Sequence, residues 1–280
     1  MRCPQTIVTT SWDDGHSDDA LVAELLSEFG LQGTFYIAPL NQERPAIGTG
    51  LVRELGQDFE IGAHSATHVP LTGLRNDELG REIERGKSML EDILGVEVPM
   101  FCYPRGLCNR RVRRAVMEAG FRGARTITEF YLDAGSDPWM IPTTLQAYPH
   151  PLWMRLVHGA KTFNWKGLAN LVGVGAGKAW VELAHAFFER ALESGGVWHL
   201  WGHSWEIQEQ GLWNDLRAVL AGVAHRPGVR YLTNGQLVSY VEGDGSPSTH
   251  PESTPGAEDT PAGHDLRTQT ETPSAAKGHQ

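Results

Sequence analysis

The sequence predicts an α/β fold: a parallel sheet of about seven strands, curled into a closed or nearly closed barrel and wrapped by helices. Three observations carry this. Strand-like and helix-like patterns alternate along residues 1–242, and repeated βα units build parallel sheets. The chain has 280 residues, 40% of them hydrophobic, enough for one large core. Its polar outliers gather at the ends of the expected strands, where barrels of this kind place their chemistry.

The β-branched run TIVTTSW (6–12) reads as the first strand. SDDALVAELLSEF (17–29) follows as a helix, with Ser17 as N-cap and two acids in its first turn, where the helix dipole favours negative charge. GTFYIA (33–38) is a strand, GLVRELG (50–56) a short helix and DFEIGAHS (58–65) a strand. NDELGREIERGKSMLEDILG (76–95) has the spacing of a long amphipathic helix closed by Gly95. MFCYPRG (100–106) is a strand that stops at Pro104, NRRVRRAVMEAG (109–120) a helix with a basic outer face, and GARTIT (123–128) a strand. After an irregular middle come a helix at AWVELAHAFFERALES (179–194), a strand at GGVWHLWGHS (195–204), a last strand at VRYLTN (229–234) and a short helix over 234–242. From Gly243 the composition turns to Ser, Thr, Pro, Gly and acids. Residues 243–280 are expected to be a disordered acidic tail, because they carry too little apolar surface to offset chain entropy.

The formal net charge of −10 argues against a nucleic-acid surface and against a polybasic membrane patch. No apolar run reaches the roughly 18 residues of a spanning helix, so no integral membrane segment is expected. MRCPQTIVTT lacks the pattern of a signal peptide, and Cys3, Cys102 and Cys108 form no disulfide framework. A soluble, cytoplasmic protein is the expectation; the sequence sets no oligomeric state.

SWDDG (11–15) places two carboxylates side by side at the end of a buried strand. Taken alone, Asp-Gly reads as a turn with solvated acids; the other reading is a metal ligand beside a catalytic base. HSATH sets His64 and His68 four apart, a spacing that shares one face of a helical turn and chelates a divalent ion. Alone, such a pair is more often a surface or capping feature. Joined to an Asp from another strand, it becomes a site of two histidines and one carboxylate, suited to zinc, or to iron, cobalt or manganese. VGVGAGKA (172–179) fails as a phosphate loop, since Val172 and Ala179 stand where Gly and Ser or Thr are required. It reads as a flexible or tightly packed loop.

Five segments, in this order, resemble the motifs of the polysaccharide deacetylase family (NodB homology, carbohydrate esterase family 4). SWDDG is similar to TFDDG, GTFYIA to ATFFV, and EIGAHSATH to EIGNHTxxH; FCYPRG is similar to FRPPYG, and WGHS to LxHD. The resemblance implies a distorted (β/α)7 barrel and metal-dependent removal of an acetyl group from an N-acetylated saccharide. It implies Asp13 as catalytic base, and Asp14, His64 and His68 as ligands of one divalent ion, zinc before cobalt, iron or manganese. It further implies His203 as general acid, and Arg105 and Tyr103 near the oxyanion and the base. Departures from the pattern place the chain among divergent members. Cys102 stands where an Arg usually orients the base, leaving Arg105 or Arg125 to compensate. The pocket-shaping motif is only loosely matched around Trp139, and Trp201 and Ser204 replace Leu and Asp. Trp201 shares a strand face with His203 and is expected to line the substrate pocket. His199, on the same face, reads equally as a core residue. The substrate expected is a small, lipid-linked or nucleotide-linked saccharide. Hydrolysis of another non-peptide C–N bond, as in a cyclic ureide or imide, and a non-catalytic sugar-binding descendant are the alternatives.

Overall fold

The computed structural model of the chain describes residues 5–243. The tail expected over 243–280 therefore lies, from residue 244 onward, outside the described residues.

The first strand, β1 (Thr6–Asp14), is buried along its whole length, as a strand covered on both faces requires. It is followed by α1 (Asp19–Glu28), β2 (Gly33–Ile37), α2 (Thr49–Asp58), β3 (Glu60–Ala63), α3 (Asn76–Leu94), β4 (Met100–Cys102), α4 (Arg110–Glu118), β5 (Gly123–Arg125) and β6 (Leu145–Gln146). Then come α5 (Leu152–Lys161), α6 (Trp165–Val174), α7 (Trp180–Ser194), β7 (Gly196–Gly202), α8 (Ser204–Gln210), α9 (Trp213–Val223), β8 (Val229–Tyr231) and α10 (Asn234–Val241). The strands pair in parallel in the order β5-β4-β3-β2-β1-β7-β6, and β8 joins β1 at Thr6–Val8. The sheet curls on itself. Residues 138–144 span the seam between β5 and β6, with Ala124 N donating to Pro138 O (2.8 Å), Ile141 N to Ala124 O (3.0 Å) and Thr144 N to His199 O (2.9 Å). This is the expected distorted (β/α)7 barrel.

Local expectations fail in instructive places. Helix α1 begins at Asp19, its N-cap is Asp18 and no side chain caps it, so Ser17 is not the cap. Asp19 turns inward instead, accepting from Ser204 Oγ (2.6 Å) and His16 N (3.1 Å). The irregular middle holds two helices, α5 and α6. The glycine cluster is not a loop throughout: Val172–Val174 close α6, and Gly175 caps it in the left-handed region (φ 101°). Helices α8 and α9 are also absent from the sequence reading, although WNDLRAVLAGV buries Leu216, Val219, Leu220 and Val223 at helical spacing. No helix among the described residues is long and apolar enough to cross a membrane.

Candidate metal and acid-base site

The C-terminal ends of β1, β3, β4, β5 and β7 converge on one pocket. Asp13 and Asp14 end β1, at 2% and 4% exposure. Asp14 sits at φ 81°, a left-handed conformation that costs a non-glycine residue energy and recurs at functional sites. HSATH is not the helical turn its spacing predicts. It is a loop after β3 with left-handed residues at Ser65 (φ 63°) and His68 (φ 62°), and this folding brings the two imidazoles together, with ring centroids 4.8 Å apart. Helix α3 fixes that loop: Glu82 Oε1 accepts from Thr67 N (2.6 Å) and Thr67 Oγ1 (2.7 Å). Gly86 lets the helix approach, because a Cβ there would lie 2.6 Å from the carbonyl carbon of Ser65.

The donor set is oriented from outside. His64 Nδ1 lies 2.8 Å from Cys102 O and donates to it, which fixes the tautomer and leaves the Nε2 lone pair free. Burial pushes the His64 pKa down to about 4, so the ring is neutral near pH 7. Trp205 Nε1 donates to Asp14 Oδ2 (2.8 Å), turning Oδ1 toward the histidines. Oδ1 then lies 3.7 Å from His64 Nε2 and 3.2 Å from His68 Nε2. It is buried with no hydrogen-bond donor. A buried carboxylate oxygen without a donor, facing the free lone pair of His64, calls for a cation, and the donor atoms of Asp14, His64 and His68 all lie within 4.8 Å of one another, so the residues fit a divalent ion. Glu43 Oε2 approaches His68 Nδ1 to 3.2 Å, at an angle that falls short of a hydrogen bond.

Asp13 is held apart from this set. Its Oδ1 is ion-paired with Arg125, and Cys102 Sγ lies 3.6 Å from its Oδ2. Burial opposes ionisation of Asp13, but the charges of Arg125, His64 and His203 hold its carboxyl below the usual carboxylate range. The guanidinium of Arg125 is fully buried between Trp201 and Tyr36, its Cζ 5.1 Å and 5.2 Å from their rings. The guanidinium at Asp13 is therefore that of Arg125. Arg105 is half exposed and pairs with Glu43 instead, and the hydroxyl of Tyr103 donates to Trp139 O (3.0 Å). Neither Arg105 nor Tyr103 reaches Asp13 through its side chain, because the left-handed turn at Arg105 (φ 56°) sends the guanidinium outward. Trp139 accepts the Tyr103 bond through its backbone carbonyl, and its side chain packs against the hydrophobic core.

His203, just past the end of β7, points Nε2 toward Asp14 Oδ2 (3.8 Å), and its Nδ1 lies 2.7 Å from Glu206 Oε2. Burial disfavours its charge, but the hydrogen bond to Glu206 and the nearby Asp14 and Asp13 outweigh it and raise its pKa to about 8. Trp201 packs edge-on against the His203 ring at 5.5 Å, as their shared strand face predicts. His199 is deeper: Ser11 Oγ lies 2.9 Å from its Nε2, and burial lowers its pKa to about 3. It is a neutral core residue. Sequence reasoning missed Trp205 and Glu206, although Glu206 stands three residues past His203 in the first turn of a helix, a spacing that brings them together.

Fold and site together define a parallel α/β barrel with a cation-sized donor set, a second carboxylate and a charged imidazole at its C-terminal mouth. Residues 2–124, which hold four of the five motifs, match the family model for polysaccharide deacetylase. Chitin deacetylase 1 of Cryptococcus neoformans var. grubii is 29% identical over 123 residues, covering 43% of this chain and 26% of that protein. A Mycobacterium smegmatis protein assigned as a polysaccharide deacetylase shares the fold over 91% of this chain and 96% of its own, with TM-score 0.62 and 17% identity. A family 4 acetyl xylan esterase from Clostridium thermocellum, solved with a cobalt ion, shares it over 85% and 92%, with TM-score 0.54 and 14% identity.

Proposed function

We propose that the protein is a metal-dependent hydrolase that removes an N-acetyl group from a small, lipid-linked or nucleotide-linked saccharide, acting in the cytoplasm. One observation carries the reading. Asp14 Oδ1 is buried without a donor beside His64 Nε2 and His68 Nε2, while a separate carboxylate, Asp13, stands ionised next to it. The polysaccharide deacetylase pattern of residues 2–124 and the chitin deacetylase relative support an N-acetyl sugar as substrate.

Asp14, His64 and His68 would hold the ion, zinc in this proposal, with cobalt, iron or manganese fitting the same donors. A divalent cation there supplies Lewis acidity, making water a nucleophile near neutral pH and drawing charge onto the acyl oxygen. Asp13 takes the proton of the attacking water on Oδ2, while Arg125 holds Oδ1 and keeps the carboxyl ionised at rest. The turn at Pro104–Gly106 supplies a backbone donor to the developing oxyanion. His203, protonated below about pH 8, gives its Nε2 proton to the departing amine, and Glu206 fixes the ring from Nδ1. The test is acetate release from N-acetylated saccharides with and without chelator. Chelation should abolish release and zinc or cobalt should restore it; a rate indifferent to chelator would refute the reading.

A further inference from the structure

Burial sorts most of this chain by polarity, but α5 and its junction with α6 reverse the rule. At 100° per residue, Leu152, Trp153, Leu156 and Val157 fall on one broad arc of α5, and all are exposed. The narrow sector between the exposed Met154 and Leu152 carries Arg155 and Gly159, and both are buried. The pattern continues past α5: Phe163 is 78% exposed and Trp165 63%. Eight of the fifteen exposed large hydrophobics among the described residues lie between 152 and 172.

Polar contacts hold this orientation. Arg155 NH1 donates to Ala176 O (3.5 Å) and Lys178 O (3.3 Å), Asn164 Nδ2 to Glu129 O (2.8 Å), and Asn170 Nδ2 to Phe130 O (2.8 Å). Turning the apolar arc inward would break every one of them. An apolar patch of this size, fixed outward, marks a surface that something covers.

Charge selects the occupant. From Pro138 to Val181 the chain has no Asp or Glu and four Lys or Arg, in a protein of net charge −10; Arg155 is buried and Lys166 pairs with Asp133 (2.7 Å), which leaves Lys161 and Lys178 as the other cations of an acid-free segment. A second copy packed face to face on this patch would bring like-charged lysines together with no Asp or Glu in the segment to pair them. Residues 244–280 are acidic but offer one large aliphatic side chain, Leu266, to cover two Trp and a Phe. A bilayer with anionic headgroups supplies both phosphate charge and an apolar boundary. Each helix has 10 residues, about 15 Å of length against a hydrocarbon core of roughly 30 Å, so it would lie in the interface rather than span it. The hairpin also leaves the barrel beside the site. It follows β6, where Gln146 Nε2 donates to Glu206 Oε2 (2.8 Å), and the same Glu206 oxygen lies against His203 Nδ1.

We propose that α5–α6 docks in the headgroup layer of an anionic membrane, presenting the barrel mouth to a saccharide carried on a lipid. The net charge of the whole chain conceals this segment by averaging over it. The choice of a lipid-borne substrate rests on the hydrolase reading; the docking does not.

The test sediments the full chain with vesicles of phosphatidylcholine and phosphatidylglycerol in equal parts, and with phosphatidylcholine alone. The wild type should pellet with the anionic vesicles. The triple variant Trp153→Ser, Phe163→Ser, Trp165→Ser should lose at least about tenfold in partitioning with its melting temperature unchanged. If the triple variant melts early, Trp153→Ser alone should still show part of the loss. Wild type left in the supernatant with both vesicles, unchanged partitioning in the variants, or a wild-type dimer that the triple variant dissolves would overturn the docking. Because the assay needs no turnover, it stands whether or not acetate is released. Acetate release from soluble N-acetyl saccharides as fast as from vesicle-borne ones would overturn only the lipid-borne substrate.

Discussion

The barrel mouth and the α5–α6 hairpin break the same rule in opposite directions. At the mouth, charged and titratable groups are buried, and nearly each is held by a named neighbour: His64 by Cys102 O, Asp14 by Trp205, Asp13 by Arg125 and His203 by Glu206. On the hairpin, large apolar groups face outward while an arginine is buried. The difference teaches what burial costs. A buried charge needs compensating partners, so the mouth is built from interlocking contacts and tolerates little change. An exposed aromatic needs nothing from the fold, so the hairpin should tolerate substitution.

The sharpest break in the comparison comes at SWDDG. Asp13→Asn should reduce turnover by about 10²–10⁴-fold while retaining metal, because His64, His68 and Asp14 remain. Asp14→Asn should lose metal instead, as read by metal analysis of the purified proteins. The reverse pattern would exchange the two roles. Next, Arg125→Gln leaves the Asp13 carboxylate buried without its counter-charge, and should cost about 3–5 kcal/mol of stability in denaturant unfolding. Asp13's carboxyl, held low by Arg125, should then titrate higher and carry the acid limb of the pH–rate profile upward with it; an unmoved limb would separate Arg125 from the base.

Smaller effects follow. Trp205→Phe removes the N–H that turns Asp14 toward the histidines and should weaken metal affinity by about 10–100-fold, measured by competition with a chelating dye. Glu206→Gln removes the partner that raises the His203 pKa to about 8. A general acid works only while protonated, so in the proposed role of His203 wild-type activity should fall as pH rises through that value, and the alkaline limb should move to lower pH in the variant. At the other end of the comparison, Trp153→Ser, at a side chain 63% exposed, should change stability by no more than about 0.5 kcal/mol. A larger loss of melting temperature would mean that the hairpin is packed rather than presented.

Legibility in the sequence followed periodicity. Strands β1, β2 and β7 were readable because β-branched and aromatic residues fill them, and α3 because nineteen residues keep one apolar stripe up to Gly95. Helices α5 and α6 were not. The apolar arc of α5 points outward, so a stripe that normally marks the core marks the surface, and for α6 three glycines at the end of the segment invite a loop. The candidate site was readable through residue types at strand ends: Asp13, Asp14, His64, His68 and His203 all reach the one pocket. Their orienting partners were not, because Trp205, Glu206 and Glu43 are ordinary helix and loop residues until the fold brings them within reach.

The sequence by itself determined the alternation of strands and helices, the acids and imidazoles available to the mouth, and the family pattern of residues 2–124. Side-chain chemistry and local hydrophobic period are properties of the chain alone. Only the tertiary structure decided that Arg125 rather than Arg105 meets Asp13, that Ser204 anchors Asp19, and that HSATH closes through two left-handed residues rather than a helical turn. Those outcomes depend on contacts across 112 residues for Arg125 with Asp13 and 185 for Ser204 with Asp19. Separations of that length are set by how the sheet curls, which no local spacing encodes.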